Sequence, residues 1–242
     1  MADPLNMSKY ASKNVLITGS SRGVGEMLTE HFLAEGATVI GVSRGAASRQ
    51  HERYRHHEAN IAEPAEVQRL FATLRATVKT LDIVINNAAV LTSQYAMIMP
   101  AGAAKAMVDL NLLAPFLVSR EAAKLMRRAK SGRIINISSM AVSLEPEGDS
   151  VYAACKAGLT TLSNIMAKEF ASFNVTCNTL GVSAIATDML RQLPPDTINS
   201  VVGRLPLPRY ATPDDILNVI DFFASERSSY ITAQTVYLGG VH

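Results

Sequence analysis

Tryptophan is absent from this 242-residue sequence, and cysteine occurs only as Cys155 and Cys177. These two lie in segments patterned as a helix and a strand, without the spacing of a disulfide framework or a zinc site, so we expect no metal. An excess of one charge is also absent, because 23 basic and 21 acidic residues give a net charge of +2. Such a weak charge does not favour nucleic acid or an anionic membrane as a partner, and it fits a small neutral or mildly anionic substrate.

Long apolar runs are also lacking. The N-terminal segment contains no apolar stretch of signal-peptide length, and no run of about 18 apolar residues follows it. We therefore expect no membrane segment and a cytoplasmic location. No internal repeat, low-complexity tract or Gly/Ser linker marks a boundary, so we expect one α/β domain over residues 1–242.

Short β-rich apolar runs alternate along the chain with longer segments of helical periodicity. This alternation predicts βαβ units and a parallel sheet, and strands that are almost wholly apolar indicate helices on both faces. The predicted strands are 15–18, 38–42, 82–85, 133–138 and 176–180. The predicted helices are 25–35, 64–77, 102–128, 151–171 and 213–224. Frequent prolines between 192 and 215 oppose regular structure, and this stretch is either an inert connection or a substrate flap at about 188–208.

A glycine-rich turn, TGSSRGVG at 18–25, follows the first predicted strand and opens a helix. Glycines let such a backbone turn sharply and approach a pyrophosphate, whose charge meets free N–H groups at the helix N-terminus. A purely structural turn is the alternative, but the strand-turn-helix context favours dinucleotide binding.

The end of the second strand indicates which dinucleotide binds. A carboxylate there would hydrogen-bond the ribose of NAD, whereas this sequence has Ser43 and Arg44, with Arg22 in the glycine turn. A hydroxyl and two guanidinium groups can bind a 2′-phosphate, so NADP(H) is favoured. Arg44 could instead be a solvated loop arginine.

Tyr152 and Lys156 are four residues apart, which places them on one face of a helix. A neighbouring ammonium stabilises a phenolate and is expected to lower the phenol pKa toward a value useful for acid–base catalysis. A bare Tyr-x-x-x-Lys is usually an ordinary helix surface, but here Ser139 follows a predicted strand, where parallel sheets place active sites. Its hydroxyl can hydrogen-bond a developing alkoxide.

Three blocks, TGSSRGVG, NNAA at 86–89 and YAACK at 152–156, resemble the short-chain dehydrogenase/reductase family over essentially the whole chain. The C-terminal stretch from 204 to 240 is most similar to the 3-oxoacyl-(acyl-carrier-protein) reductase branch. The resemblance implies a single-domain Rossmann fold, a seven-stranded parallel sheet of order 3-2-1-4-5-6-7, and a homotetramer. It implies a catalytic set of Ser139, rather than Ser138, with Tyr152, Lys156 and Asn111, the last holding a water in a proton relay. The implied cofactor-binding residues are Gly19, Ser20, Ser21, Arg22, Val24, Ser43, Arg44, Asn60, Ile61, Asn87, Tyr152, Lys156, Ile185 and Thr187.

The sequence departs from the family pattern at several places. Asparagine replaces aspartate at Asn60, and alanine replaces glycine at Ala89 and Ala233. Val182-Ser183 replaces Pro-Gly, which predicts a reshaped border of the substrate site. Of two basic positions with which carrier-protein reductases dock the acyl carrier, Lys130 matches one and Phe173 occupies the other. His51, His56 and His57 have no metal-ligand spacing and are interpreted as surface residues.

Three hypotheses for function follow. The first is an NADPH-dependent reductase of a ketone, most simply a 3-oxoacyl thioester on an acyl carrier protein of fatty acid or polyketide synthesis. The second is a reductase or dehydrogenase of a free small-molecule ketone or alcohol. The third is a non-catalytic NADP(H)-binding regulatory protein.

Overall fold

The computed structural model describes residues 8–185 and 195–241. The strands are β1 (Asn14–Thr18), β2 (Thr38–Ser43), β3 (Tyr54–Glu58), β4 (Ile83–Asn86), β5 (Gly132–Ser139), β6 (Val175–Val182) and β7 (Thr235–Tyr237). The helices are α1 (Gly23–Ala34), α2 (Pro64–Thr77), α3 (Ala101–Val108), α4 (Ala114–Ala129), α5 (Ala141–Leu144), α6 (Ser150–Phe170), α7 (Pro195–Gly203) and α8 (Pro213–Ala224). A π-helical turn, Asp109–Leu113, joins α3 to α4.

The seven strands form one sheet in the order β3-β2-β1-β4-β5-β6-β7. Every pairing is parallel. The predicted fold class and strand order are therefore confirmed. The chain changes direction across the sheet between β1 and β4, so the loops after these strands diverge and leave a crevice at their carboxyl ends.

Apolar residues on the two faces of the sheet form two core clusters. In β1, Leu16 points to the face covered by α2, α4 and α6, where Phe71 and Val118 pack. Its neighbours Val15 and Ile17 point to the opposite face, which α1 and α8 cover. This alternation explains why the central strands are almost wholly apolar, since both faces are buried.

The apolar pattern did not predict the two edge strands, β3 and β7. β3 has the sequence YRHHE, and none of its five residues is fully buried. β7 has three residues, all of them half-buried. An edge strand pairs on one side only and can carry polar side chains, so it lacks the apolar run by which the central strands are identified.

The continuous helical segment 101–129 is long and apolar enough to cross a membrane by length and composition alone, with a mean hydropathy of 1.4 over 18 residues. In the folded chain it packs on the sheet, and Val118 and Ala122 are fully buried in the core. Core helices pass the same test, so this segment is weak evidence for a membrane span.

The proline-rich stretch contains a helix that the sequence argument did not anticipate. α7 begins at Pro195, and residues 196–203 contain no further proline. Proline is tolerated in the first turn of a helix, where its missing N–H would have no partner. The part of the predicted flap at 188–194 lies outside the described residues.

Candidate active site

A cavity of about 560 Å³ opens at the carboxyl ends of the strands. The glycine turn and the loop after β2 form one end of it. Residues at the ends of β5 and β6, with the start of α6, form the other end. Ile198, Val201 and Arg204 of the segment 195–208 also line it. A cavity with polar side chains at both ends suits a dinucleotide with a second molecule beside it.

The glycine turn has the geometry that pyrophosphate binding requires. Gly19 has a φ of +69°, in the left-handed region. A methyl group on Gly25 would overlap the carbonyl oxygen of Gly19. Arg22 is the N-cap of α1, but no side chain caps the helix. The first N–H groups of α1 therefore remain available to an anion, and the residues present fit a dinucleotide.

The side chain of Asn87 braces this turn from β4. Its amide nitrogen donates to the carbonyl oxygens of Thr18 at 3.0 Å and Gly19 at 3.3 Å. The Thr18 hydroxyl oxygen accepts from the backbone N–H of Asn87 at 3.0 Å. Asn87 lines the cavity as predicted for a cofactor-binding residue, but its amide hydrogens are used within the protein.

The other predicted residues of the turn divide into two groups. Ser21, Arg22 and Val24 line the cavity, as does Gly19. Ser20 does not: it is fully buried, and its hydroxyl lies 3.1 Å from that of Tyr54. Any contact of Ser20 with a cofactor would therefore involve its backbone.

The residues expected to bind the adenosine end lie together around the loop after β2. Ser43, Arg44, Asn60 and Ile61 all line the cavity. Arg44 is exposed and makes no ion pair with any described residue. The Asn60 side-chain oxygen accepts from the amide of Ala62 at 3.3 Å and keeps a second lone pair. This end thus presents an unpaired guanidinium to the cavity.

Tyr152, Lys156 and Ser139 converge at the opposite end. The Lys156 Nζ lies 5.8 Å from the centroid of the Tyr152 ring. It donates to the carbonyl oxygen of Ile137 at 2.8 Å, which fixes the ammonium beneath the cavity floor. Ser139 is the last residue of β5, and it lines the cavity together with Tyr152 and Lys156.

Burial governs the protonation of this group. It raises the pKa of Tyr152 to about 12, whereas the neighbouring Ser139 hydroxyl lowers that pKa and the Asp149 carboxylate raises it. Burial likewise lowers the pKa of Lys156 to about 8. The expected lowering of the phenol pKa is therefore not observed, because burial of the phenol has the largest influence on it.

The two adjacent serines of β5 differ in their hydrogen bonds. The Ser138 hydroxyl donates to the carbonyl oxygen of Lys156 at 3.2 Å. The Ser139 hydroxyl accepts from the amide of Ala141 at 3.1 Å and keeps its own hydrogen for another acceptor. Ser139 is therefore the better donor to a substrate oxygen.

Asn111 is fully buried in the π-helical turn. Its side-chain oxygen accepts from the amide of Val90 at 2.9 Å, and its nitrogen donates to the Val90 carbonyl oxygen at 2.8 Å. It thus holds the loop after β4 with a pair of bonds. Its predicted part in a proton relay stays a prediction.

The departures from the family pattern have modest local effects. β6 continues through Val182, which pairs in register with Ser139, and its carbonyl oxygen accepts from the amide of Met140 at 2.9 Å. Ala89 does not have a positive φ, so the backbone there does not need glycine. Ala233, in contrast, has a φ of +57° and adopts the conformation that glycine favours.

Ile185, predicted to contact the cofactor, lines the cavity next to Ala184. Thr187 lies outside the described residues. Among the residues that the structure describes, no three His, Cys, Asp or Glu side chains are placed to share a metal ion.

Two features of the site were missed by the sequence argument. Asp149, three residues before Tyr152, lines the cavity and is 7% exposed, and its Oδ1 has no hydrogen-bond partner among the described residues. Burial raises the pKa of this carboxyl group. The second feature is the contact of His56, a half-buried residue on the edge strand β3, with the loop after β2. Its position on a polar strand was the only available signal.

Comparisons with known proteins agree with this geometry. A family model described as enoyl-(acyl carrier protein) reductase matches residues 19–242. The 3-oxoacyl-(acyl-carrier-protein) reductase FabG of Salmonella typhimurium is 31% identical over 237 residues, covering 96% of this chain and 97% of that protein. The 3-oxoacyl-(acyl-carrier-protein) reductase of Synechocystis is 32% identical over 246 residues, covering 97% and 98%.

Solved structures show the same likeness. The ligand-free aldohexose dehydrogenase of Thermoplasma acidophilum superimposes with a TM-score of 0.87 at 26% identity, covering 97% of this chain and 96% of that one. Sequence and structure thus match over nearly the full length of proteins that oxidise alcohols or reduce ketones. The chain belongs to the short-chain dehydrogenase/reductase family and is an oxidoreductase that acts on CH–OH or keto groups.

Proposed function

We propose that the protein reduces a ketone to a secondary alcohol with NADPH, and that the ketone is a 3-oxoacyl thioester on an acyl carrier protein. The observation that carries the proposal is that Ser139, Tyr152 and Lys156 line one end of a cavity whose other end offers free helix N–H groups and the side chains of Arg22 and Arg44.

In this mechanism, Ser139 donates its free hydrogen to the substrate oxygen and orients the carbonyl group. Tyr152 transfers its phenolic proton to that oxygen as negative charge develops on it. Lys156 supplies the nearest positive charge to the resulting phenolate. A nicotinamide bound in this cavity would supply hydride chemistry at the carbonyl carbon.

Ketone reduction suits this site better than reduction of a carbon–carbon double bond, which the family model's description names. A carbonyl oxygen has two lone pairs and can accept from both hydroxyls at once. In an enoyl thioester the carbon that receives the hydride carries no oxygen, and the acceptor oxygen lies on the thioester carbon two bonds away.

The cofactor assignment rests on Arg22 and Arg44. Both line the cavity, are exposed, and form no ion pair with the described residues. An unpaired arginine gains most from a phosphate dianion, so these two groups favour the 2′-phosphate of NADP(H).

The carrier assignment is supported by a basic surface at the end of α4. Arg127, Arg128 and Lys130 are exposed there. The Arg127 guanidinium lies 5.8 Å from the centroid of the Phe173 ring, so positive charge is present beside the residue that departs from the family pattern. Such a cluster fits an acidic carrier. The relatives from Salmonella typhimurium and Synechocystis are both named as reductases of 3-oxoacyl-(acyl-carrier-protein).

A second candidate, a dehydrogenase of a free polyhydroxy compound, is favoured by Asp149. A buried carboxylate in the cavity with an unpartnered oxygen can accept hydrogen bonds from substrate hydroxyls. The aldohexose dehydrogenase of similar fold is a protein with that kind of substrate.

The assembly and organisation of the protein are part of the proposal. Val108, Leu113 and Ile165 are exposed apolar residues on α3, the π-helical turn and α6, and they would be buried in a homotetramer. We retain one catalytic domain over residues 1–242, a flap at 188–208 and a cytoplasmic location, which suits the free thiols of Cys155 and Cys177. Sedimentation equilibrium tests the tetramer.

The experiment that separates the two functions follows NADPH consumption with acetoacetyl thioesters of an acyl carrier protein and of coenzyme A. Aldohexoses with NADP⁺ are assayed in parallel. We expect the carrier thioester to have the highest kcat/KM. Turnover of the sugars alone would contradict the thioester assignment and favour the second candidate.

A further inference from the structure

Ser20, Tyr54 and His56 form a hydrogen-bonded chain from the glycine turn to the loop after β2. The Ser20 hydroxyl oxygen lies 3.1 Å from that of Tyr54. The Tyr54 oxygen lies 3.1 Å from Nδ1 of His56. Nε2 of His56 lies 2.8 Å from the carbonyl oxygen of Gly45. This hydrogen-bond chain therefore connects the glycine turn with the loop after β2, the two segments that border the adenosine end of the cavity.

The acceptor at the end of this hydrogen-bond chain fixes which atom donates in each of its bonds. The Gly45 carbonyl oxygen can only accept, so Nε2 of His56 carries the hydrogen. In the neutral ring, Nδ1 then accepts from the Tyr54 phenol. The phenol oxygen accepts in turn from the Ser20 hydroxyl. Each polar atom of the chain has a partner, so the replacement of one member leaves another unpaired.

Gly41 makes the chain possible. It lies in β2 between the other two segments and pairs in register with His56 of β3. A methyl group at this position would overlap the hydroxyl oxygens of both Tyr54 and Ser20. The missing side chain therefore gives the phenol a path across β2.

The loop that His56 contacts has few other restraints. The Ser43 hydroxyl donates to the same Gly45 carbonyl oxygen at 3.1 Å. A methyl group added to Gly45 would meet no atom within 4 Å, so no neighbouring residue packs against that position. His56 and Ser43 thus fold residues 43–45 back on themselves. Arg44 lies between the two fixed residues, with its guanidinium left exposed at the cavity.

We propose that His56 is a positioning residue that sets the preference for NADP(H) over NAD(H) by holding Gly45, and with it the backbone of Arg44, in place for the adenosine 2′-phosphate. This inference rests on the NADP(H) site of the proposed function. It assigns His56 no part in the chemistry at Ser139 and Tyr152, which lie at the other end of the cavity.

Two substitutions of His56 separate the contributions of the two imidazole nitrogens, because each keeps the hydrogen-bonding position of one nitrogen only. The amide of His56→Asn takes the place of Nδ1 near Tyr54 but does not reach Gly45, whereas the longer His56→Gln places an amide nitrogen close to Nε2. Binding of adenosine 2′,5′-bisphosphate and of adenosine 5′-monophosphate is measured by calorimetry, which needs no turnover. His57→Asn is the matched control, because its side chain points to the other face of the same strand.

We expect His56→Asn to weaken binding of the bisphosphate about tenfold, the value of one hydrogen bond near a charged ligand, and to leave the monophosphate unchanged. We expect His56→Gln to retain most of the affinity for the bisphosphate and His57→Asn to leave it unchanged. Tyr54→Phe, which removes only the phenol hydroxyl, weakens the bisphosphate about threefold. If a thermal unfolding scan shows that His56→Asn is not folded, the binding of the two nucleotides is compared in Tyr54→Phe instead.

Other outcomes separate the inference from the proposed function. If the wild-type protein binds the bisphosphate more tightly and His56→Asn keeps that ratio, the inference is overturned and the NADP(H) assignment stands. Equal weakening of both ligands also overturns it, because that marks a general structural effect. A wild-type protein without preference for the bisphosphate overturns the NADP(H) assignment and this inference together.

Discussion

The two ends of the sheet use charged residues in opposite ways. At the amino end, Lys9 and His31 contact Asp221 at 2.8 Å, and Lys13 pairs with Glu226 at 2.6 Å. At the carboxyl end, Arg22 and Arg44 face the cavity without an ion pair to any described residue. Arg22 and Arg44, the charges available to a ligand, thus lie at the opposite end of the sheet from the ion pairs of Asp221 and Glu226. Substitutions at the two ends should therefore affect different measurements.

The largest effect is expected from Tyr152→Phe at the carboxyl end. Loss of the phenolic proton should lower kcat for ketone reduction about a thousandfold, as is typical for removal of a general acid. NADPH binding, measured by its fluorescence, and the midpoint of thermal unfolding should change little. A variant that retains substantial activity would remove Tyr152 from the proposed mechanism.

Arg44→Gln tests the unpaired cation. We expect NADPH to bind about 10- to 100-fold more weakly, with NADH unaffected, because a charge-assisted bond to the 2′-phosphate is lost. Arg49→Gln is the control, since Arg49 in the same loop pairs with Glu26 and Glu30. It should leave both affinities unchanged. Equal loss for NADPH and NADH in Arg44→Gln would contradict the assignment.

Asp221→Asn tests the paired charges at the amino end. Burial raises the pKa of Asp221, but hydrogen bonds from His31, Lys9 and Tyr10 outweigh it and lower the pKa from 3.8 to about 2. Because the folded pKa is depressed, the stabilisation is present above about pH 4 and is lost as pH falls toward 2. We expect Asp221→Asn to reduce the free energy of unfolding at pH 7 by about 2 kcal/mol.

Urea unfolding at several pH values measures this effect. The wild-type protein should lose stability between about pH 4 and pH 2, and Asp221→Asn should lose less over that interval. Asp214→Asn, at an exposed position of the same helix, is the control and should match the wild type at pH 7. NADPH affinity should be equal in all three proteins.

The smallest effect is expected from Ala233→Gly, also at the amino end. Ala233 has a φ of +57°, and its amide donates to the carbonyl oxygen of Cys177 at 2.9 Å. Glycine relieves the left-handed strain of about 1 kcal/mol but is less restricted in the unfolded chain, so a net gain of about 0.5 kcal/mol is expected. Ala72→Gly, at an exposed position within α2, should instead lose about 1 kcal/mol. Thermal unfolding distinguishes the two signs.

The sequence was informative where a structure depends on neighbours along the chain. The bounds of α2 and α8 match the helical pattern, and the five central strands were located to within two residues at each end. The glycine turn and the Tyr152–Lys156 pair were identifiable because their spacing alone places their groups. β3 was not delimited, because its edge position removes the apolar pattern.

Contacts between residues that are far apart in the sequence could not be predicted from local patterns. Asp221 lies 190 residues from His31 and 211 from Tyr10, and nothing in their local sequence indicates contact. The role of His56 depends on a missing side chain at Gly41, in the neighbouring strand. Asp149 is buried beside the loop that contains Ser93 and Gln94, which is far from it along the chain.

The π-helical turn at Asp109–Leu113 bears on changes in chain length. A π-helical turn contains one residue more than the α-helical turn it replaces. Deleting one residue here would leave a continuous α-helix, so helix formation would survive. Asn111 would rotate by about 100° relative to the residues on one side of the deletion and would lose both of its hydrogen bonds to Val90. A one-residue deletion that the fold tolerates would therefore release the loop after β4 from the active site.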